Sequence, residues 1–180
     1  ADDKTIFDTV QYPSELLGSK IGDCDDLTVL YASLLENLSI DTAFLEANDP
    51  GKGHIYLMFD SGIKPDRAEY HFEGVHEYVL WEGVIWIPVE TTQVGQTFAK
   101  ACRIGVDEYK KLKPKGLINE VYVQQWMQRY KSAVLPPTSI PLPVSTSFDS
   151  LVSKDIAHFD ERTDRIAMGE AATQQTPDGL

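Results

Sequence analysis

Gly22-Asp23-Cys24-Asp25-Asp26 sets a cysteine where a helix should begin. A thiol is a nucleophile only as thiolate, and the unpaired N–H groups of a helix's first turn favour that anion over the free thiol, whose pKa is about 8.5. Asp23 reads as the N-cap, with Asp26 three residues on as the partner in a short capping box. The three carboxylates Asp23, Asp25 and Asp26 oppose thiolate formation, so the cysteine needs a base or a cation beside it. His54, opening a strand, is the natural base: within hydrogen-bond reach it accepts the thiol proton and holds the ion pair. A third group on the far ring nitrogen would fix the tautomer, and Glu90 at a strand end supplies one. Asp60 is the fallback acid, but six residues along the strand from His54 puts it about 20 Å away. Cys24, His54 and Glu90 in that order suit acyl transfer through a thioester.

Plainer roles exist for each. A cysteine on an apolar helix stripe is ordinarily a core residue, a histidine at a strand start ordinarily anchors a loop, and Glu90 is one acid among many. Zinc held by Cys24, His54, His71 or His76 finds no paired ligand spacing. His158 falls on the solvated side of a terminal helix.

The elements that must position these residues follow from periodicity. A short helix opening at Ser14 or just before it and closed by Gly18 is expected. Leu27, Leu30, Tyr31, Leu34, Leu35 and Leu38 repeat at helical spacing, so a helix over about 24–38 turns that stripe, with Cys24 on it, toward a core. Strands are expected at 42–47 and 54–59 across a loop at 48–53, with His54 pointing away from the more apolar face that Ile55, Leu57 and Phe59 share. A polar connection at 61–77 precedes strands 78–81 and 84–89, joined at Glu82-Gly83. Phe98, Cys102, Gly105, Tyr109 and Leu112 mark a second core helix, which makes Cys102 an inert thiol; Val123, Trp126, Met127, Tyr130 and Val134 mark a third. Four prolines at 136, 137, 141 and 143 make an extended connector. The chain therefore divides into a domain over 1–134, a connector at 135–147, an amphipathic docking helix at 148–168 and a polar tail at 169–180. That helix docks on its own domain, on a neighbouring chain or on a domain absent from this chain.

In 180 residues, 42% are hydrophobic and 24% charged, enough apolar surface for a real core. With 16 basic against 28 acidic residues the net charge is −12. That balance repels phosphate backbones and argues against nucleic acid as partner, and favours neutral or basic protein or peptide substrates. No apolar run reaches the roughly 18 to 20 residues of a membrane span. The first residue is Ala1, with no signal-peptide core, so the chain reads as a processed or excised piece whose compartment is not written in it. Two cysteines are too few for a disulfide framework.

Gln11-Tyr12-Pro13-Ser14-Glu15-Leu16-Leu17, Gly22-Asp23-Cys24-Asp25-Asp26, Gly53-His54 and Trp86-Ile87-Pro88-Val89-Glu90-Thr91-Thr92, in that order, resemble the transglutaminase-like superfamily. Within it they are most similar to the bacterial and archaeal transglutaminase-like cysteine peptidases. The resemblance covers roughly residues 11–92. It implies an α+β, papain-like fold in which a helix opening at the cysteine packs on an antiparallel sheet bearing the histidine and the acid. It makes Cys24 the nucleophile, His54 the base and later acid, and Glu90 the orienting carboxylate, in a cysteine peptidase or amide hydrolase that needs no cofactor. By the same analogy Gln11 is a second oxyanion donor beside the Cys24 N–H. The family's third member is usually aspartate, so Glu90 departs from it by one methylene. Some bacterial relatives depend on calcium through acids flanking the cysteine, which gives Asp23, Asp25 and Asp26 a second reading beside capping. The alternative is a module that keeps the fold without catalysis and binds protein through Trp81, Trp86 and the terminal helix.

Overall fold

The computed structural model describes residues 9–131 and Ser153. The connector, the docking helix with His158, and the tail lie outside the described residues. The expected α+β class is what the fold shows: one five-stranded, wholly antiparallel sheet with helices packed on it. Its elements are α1 (Pro13–Ser19), α2 (Cys24–Asn37), β1 (Thr42–Asp49), β2 (Lys52–Asp60), β3 (Val79–Trp81), β4 (Val84–Val89), α3 (Phe98–Leu112), β5 (Ile118–Tyr122) and α4 (Val123–Arg129). The strands lie in the order β3-β4-β2-β1-β5.

Local chemistry accounts for most boundaries. Pro13 opens α1 with its φ already helical, and Glu15 accepts the Tyr12 N–H at 2.9 Å. The helix closes at Lys20, whose φ is 56°, rather than at Gly18, which lies inside it. The 48–53 stretch is not an open loop: Asn48 pairs with Gly53 and Asp49 with Lys52, so only Pro50-Gly51 turns, with Gly51 at φ 80°. Polar composition there concealed ladder positions, because a two-residue turn needs nothing more. Glu82 and Gly83, both at positive φ, join β3 to β4.

The apolar stripe of α2 faces the core only in part: Leu30 is buried and Leu27 and Leu35 are half-buried, but Tyr31, Leu34 and Leu38 are 39%, 52% and 71% exposed, while Thr28 and Ala32 are buried. The small side chains of Thr28 and Ala32, one turn apart, share the buried face with Leu30 where the helix packs on β2 and β1. The face of β2 that bears His54 is the more deeply buried one, since Tyr56 and Met58 join the main cluster with Leu45, Trp86, Val106 and Tyr109. In α3 the buried stripe is Ala101, Gly105, Val106, Tyr109 and Leu112, with Phe98 exposed and Cys102 partly exposed beside it; in α4 no residue is buried. β5 and short 3-10 turns at Pro65–Tyr70 and Val75–Glu77 lie where no strand or helix was expected. Trp81 and Trp86, considered as contact surface, pack instead edge-on at 5.1 Å, both against Tyr122, and Trp86 is in the core. Among the described residues no helix is long and apolar enough to cross a membrane.

Candidate active site

The site forms where the sheet comes apart. β4 pairs with β2 from Asp60↔Trp86 to Leu57↔Val89, and past Val89 the chain leaves while β2 runs on to Lys52. Thr28 of α2 plugs that gap. Its buried hydroxyl lies 2.6 Å from the Cys24 carbonyl oxygen, 3.3 Å from the Ile55 carbonyl oxygen and 3.0 Å from the Thr91 hydroxyl. Cys24, one turn before Thr28, is thereby held at the mouth of the gap, on the first residue of α2 and partly exposed.

On the other side of the gap His54 Nε2 meets Glu90 Oε2 at 2.6 Å. The glutamate side chain is thus long enough to reach the ring from the end of β4. Glu90 is 4% exposed, and its Oε1 accepts both the N–H of Thr92 at 2.9 Å and its hydroxyl at 2.6 Å. Its backbone N–H donates to the Ala101 carbonyl of α3 at 3.1 Å. Both carboxylate oxygens and the main chain are therefore fixed, and the ring they hold lies stacked on Tyr56 with centroids 5.8 Å apart.

The electrostatics follow from that contact. The Glu90 hydrogen bond lifts the His54 pKa to about 9 against the opposing cost of burial, with the Glu90 charge, the Cys24 thiol and Glu108 adding to the lift. Burial alone would raise Glu90, but the hydrogen bonds from His54 and Thr92 outweigh it and hold its carboxyl below the ordinary value. With Nε2 committed to Glu90, Nδ1 is the ring nitrogen open to Cys24.

These shifts define a stability window. The His54 contribution is complete below its ordinary pKa of 6.5, wanes between 6.5 and about 9, and is gone above that. Glu90, shifted down, contributes above its ordinary 4.5 and loses that contribution as the pH falls below it. Urea midpoints should therefore fall from pH 6 to pH 9 in the native protein more steeply than in His54→Asn; parallel profiles would contradict the ion pair.

The remaining candidates take other places. Gln11 directs its amide nitrogen to Asp26 Oδ2 at 2.8 Å and the Ile21 carbonyl at 2.9 Å, and its backbone N–H to Asp26 Oδ1 at 2.6 Å. It braces the start of α2, with both amide hydrogens engaged, in place of the expected oxyanion contact. The backbone bond from Gln11, with its side chain and Asp23 N–H assisting against burial, holds Asp26 below the ordinary carboxylate range. Asp60 accepts the Gly62 N–H at 2.8 Å in a turn. Carboxylate oxygens of Asp23, Asp25 and Asp26 come within 4.8 Å of one another, as do donor atoms of His54, Glu90 and Glu108. Asp26 and Glu90 each use both carboxylate oxygens in hydrogen bonds within the fold. Among the described residues no such group includes Cys24, His71 or His76. A cavity of about 480 Å³ lined by Asp66, Phe72, Val75 and Tyr78 lies on the 3-10 turns and includes none of the site residues.

Thr28, Thr92 and Glu108 were not singled out from sequence. Thr28 lies one turn after Cys24 and Thr92 two residues after Glu90, a proximity that marks both; Glu108 carries no signal of its own. No family model matches the chain, and no curated protein or solved structure matches it at a significant level.

Proposed function

We propose that the protein is a thiol acyl-transfer enzyme of the papain-like, transglutaminase-like kind, acting as a cysteine peptidase or amide hydrolase on protein or peptide substrates. The observation that supports it is the 2.6 Å contact of His54 with a fully anchored Glu90, beside a cysteine on the first residue of a helix. Cys24 Sγ, as thiolate beside the imidazolium, attacks an amide carbonyl carbon. The oxyanion forms next to the Cys24 backbone N–H, a first-turn donor with no intrahelical acceptor. The imidazolium passes its Nδ1 proton to the leaving amine as the C–N bond breaks, leaving a thioester and a neutral ring. The ring then takes a proton from water, whose oxygen displaces the thiol to give the carboxylic acid. Hydrolysis ranks above cross-linking, and a net charge of −12 favours neutral or basic substrates.

The test is alkylation of Cys24 by iodoacetamide across pH. Cys24 should react at pH 6 at least about tenfold faster than a model thiol, because a thiol of pKa about 8.5 is under 1% ionised there; His54→Ala should remove the advantage. A rate equal to the model thiol's, unchanged by His54→Ala, would sink the mechanism. The exposed apolar residues Tyr31, Leu34 and Leu38 on α2 favour the second reading, a non-catalytic protein-binding module. That reading requires the alkylation result to be negative.

A further inference from the structure

Glu108 has no part in the chemistry above, yet its carboxylate stands within 4.8 Å of donor atoms on both His54 and Glu90. It sits on α3, one turn beyond Gly105. That glycine lies so close to β4 that a Cβ there would be 2.8 Å from the Pro88 carbonyl carbon and 2.9 Å from the Val89 nitrogen. Four residues earlier, the Ala101 carbonyl accepts the Glu90 N–H at 3.1 Å. Two main-chain contacts therefore fasten α3 to the segment that carries Glu90, and Glu108 is brought to the ring by backbone geometry.

Two carboxylates this close repel each other, and the imidazole ring is the group that relieves the repulsion by holding a proton. Burial raises the Glu108 pKa; His54 and Lys111 pull it down, while Glu90 and Asp49 push it up. Around His54 the facing groups are Glu90, Cys24 and Glu108, with the Tyr56 ring stacked alongside. Of the two carboxylates only Glu90 hydrogen-bonds the ring directly, so Glu108 acts on it through charge.

We propose that Glu108 is a positioning residue for His54, a second carboxylate that holds the protonated ring in the orientation presenting Nδ1 to Cys24. Its effect on reactivity rests on the acyl-transfer reading; its effect on the ring does not.

The experiment is an NMR titration of the His54 ring in the full chain, with the signal identified by its loss in His54→Asn. Glu108→Gln keeps the shape and removes the charge. It should lower the His54 midpoint by roughly 0.5 to 1 unit, the effect of a charge about 5 Å away in a largely water-like dielectric. Glu108→Asp, which keeps the charge and draws it back, should give a smaller drop. An unchanged midpoint in both variants, with each folded by circular dichroism, overturns the proposal, because a merely structural role would change stability and leave the titration alone. Cys24 alkylation in the same samples separates the two ideas. A shifted midpoint with no enhanced alkylation in the native protein removes the acyl-transfer reading and leaves the positioning role standing.

Discussion

In Glu90→Gln the His54 titration midpoint should fall from about 9 to near its ordinary 6.5, and any amide hydrolysis the protein performs should drop about 10²- to 10⁴-fold. The cause is the tautomer as much as the charge. Glutamine can keep its oxygen on the Thr92 N–H and hydroxyl, where Glu90 Oε1 now accepts both. Its NH₂ then faces His54 Nε2 in place of the oxygen at 2.6 Å. A donor in that position requires Nε2 to accept, so the neutral ring keeps its proton on Nδ1, the nitrogen that must be free to take one from Cys24. The variant should also lose about 1.5 to 3 kcal/mol of stability near pH 6, the size of a hydrogen bond to a charged group. That loss should shrink toward pH 9, where the native ring gives up its proton as well. A midpoint that stays near 9 would show that Glu90 is not what holds the ring's proton.

The parts of this site that rest on neighbours in sequence are legible without a structure. Cys24 begins α2 because Asp23 and Asp26 bracket it, and Asp26 does return to the Asp23 N–H at 3.2 Å. The β3–β4 hairpin follows from Glu82-Gly83, both at positive φ. What depends on close approach is not legible. Leu34 and Leu38 look like core and face outward, while Thr28 and Ala32 share the buried face with Leu30. Gln11 has the chemistry of an oxyanion donor, but the carboxylate it serves lies fifteen residues away and becomes buried only on folding. β5 is a five-residue run whose identity comes from pairing with β1, from Ala43↔Tyr122 to Ala47↔Ile118, more than seventy residues back in the chain. Such pairings are chosen by the whole sheet, and no window of local sequence contains them.

Gly105→Ala should do its damage at a distance. The added methyl would stand 2.8 Å from the Pro88 carbonyl carbon, 2.9 Å from its oxygen and 2.9 Å from the Val89 nitrogen. All three are main-chain atoms in a strand paired with β2 through Met58↔Pro88 and Leu57↔Val89, so no rotamer change relieves the clash. α3 must move off β4, at a cost of about 1 to 3 kcal/mol for an overpacked contact, partly offset by the higher helix propensity of alanine. The displacement falls on the two groups that α3 controls: the Ala101 carbonyl that anchors the Glu90 N–H, and Glu108 beside the ring. The His54 midpoint should therefore drop along with the melting temperature, although residue 105 touches neither His54 nor Glu90 in the sequence-local sense. Ala101→Gly serves as the control. It removes a buried methyl from the same helix and weakens it by a comparable amount, while leaving the Ala101 carbonyl position and the Gly105 contact intact. If both variants lose similar stability and only Gly105→Ala lowers the midpoint, the close approach of α3 to β4 is what sets the geometry of the ion pair. Equal midpoints in the two would assign Gly105 to packing alone.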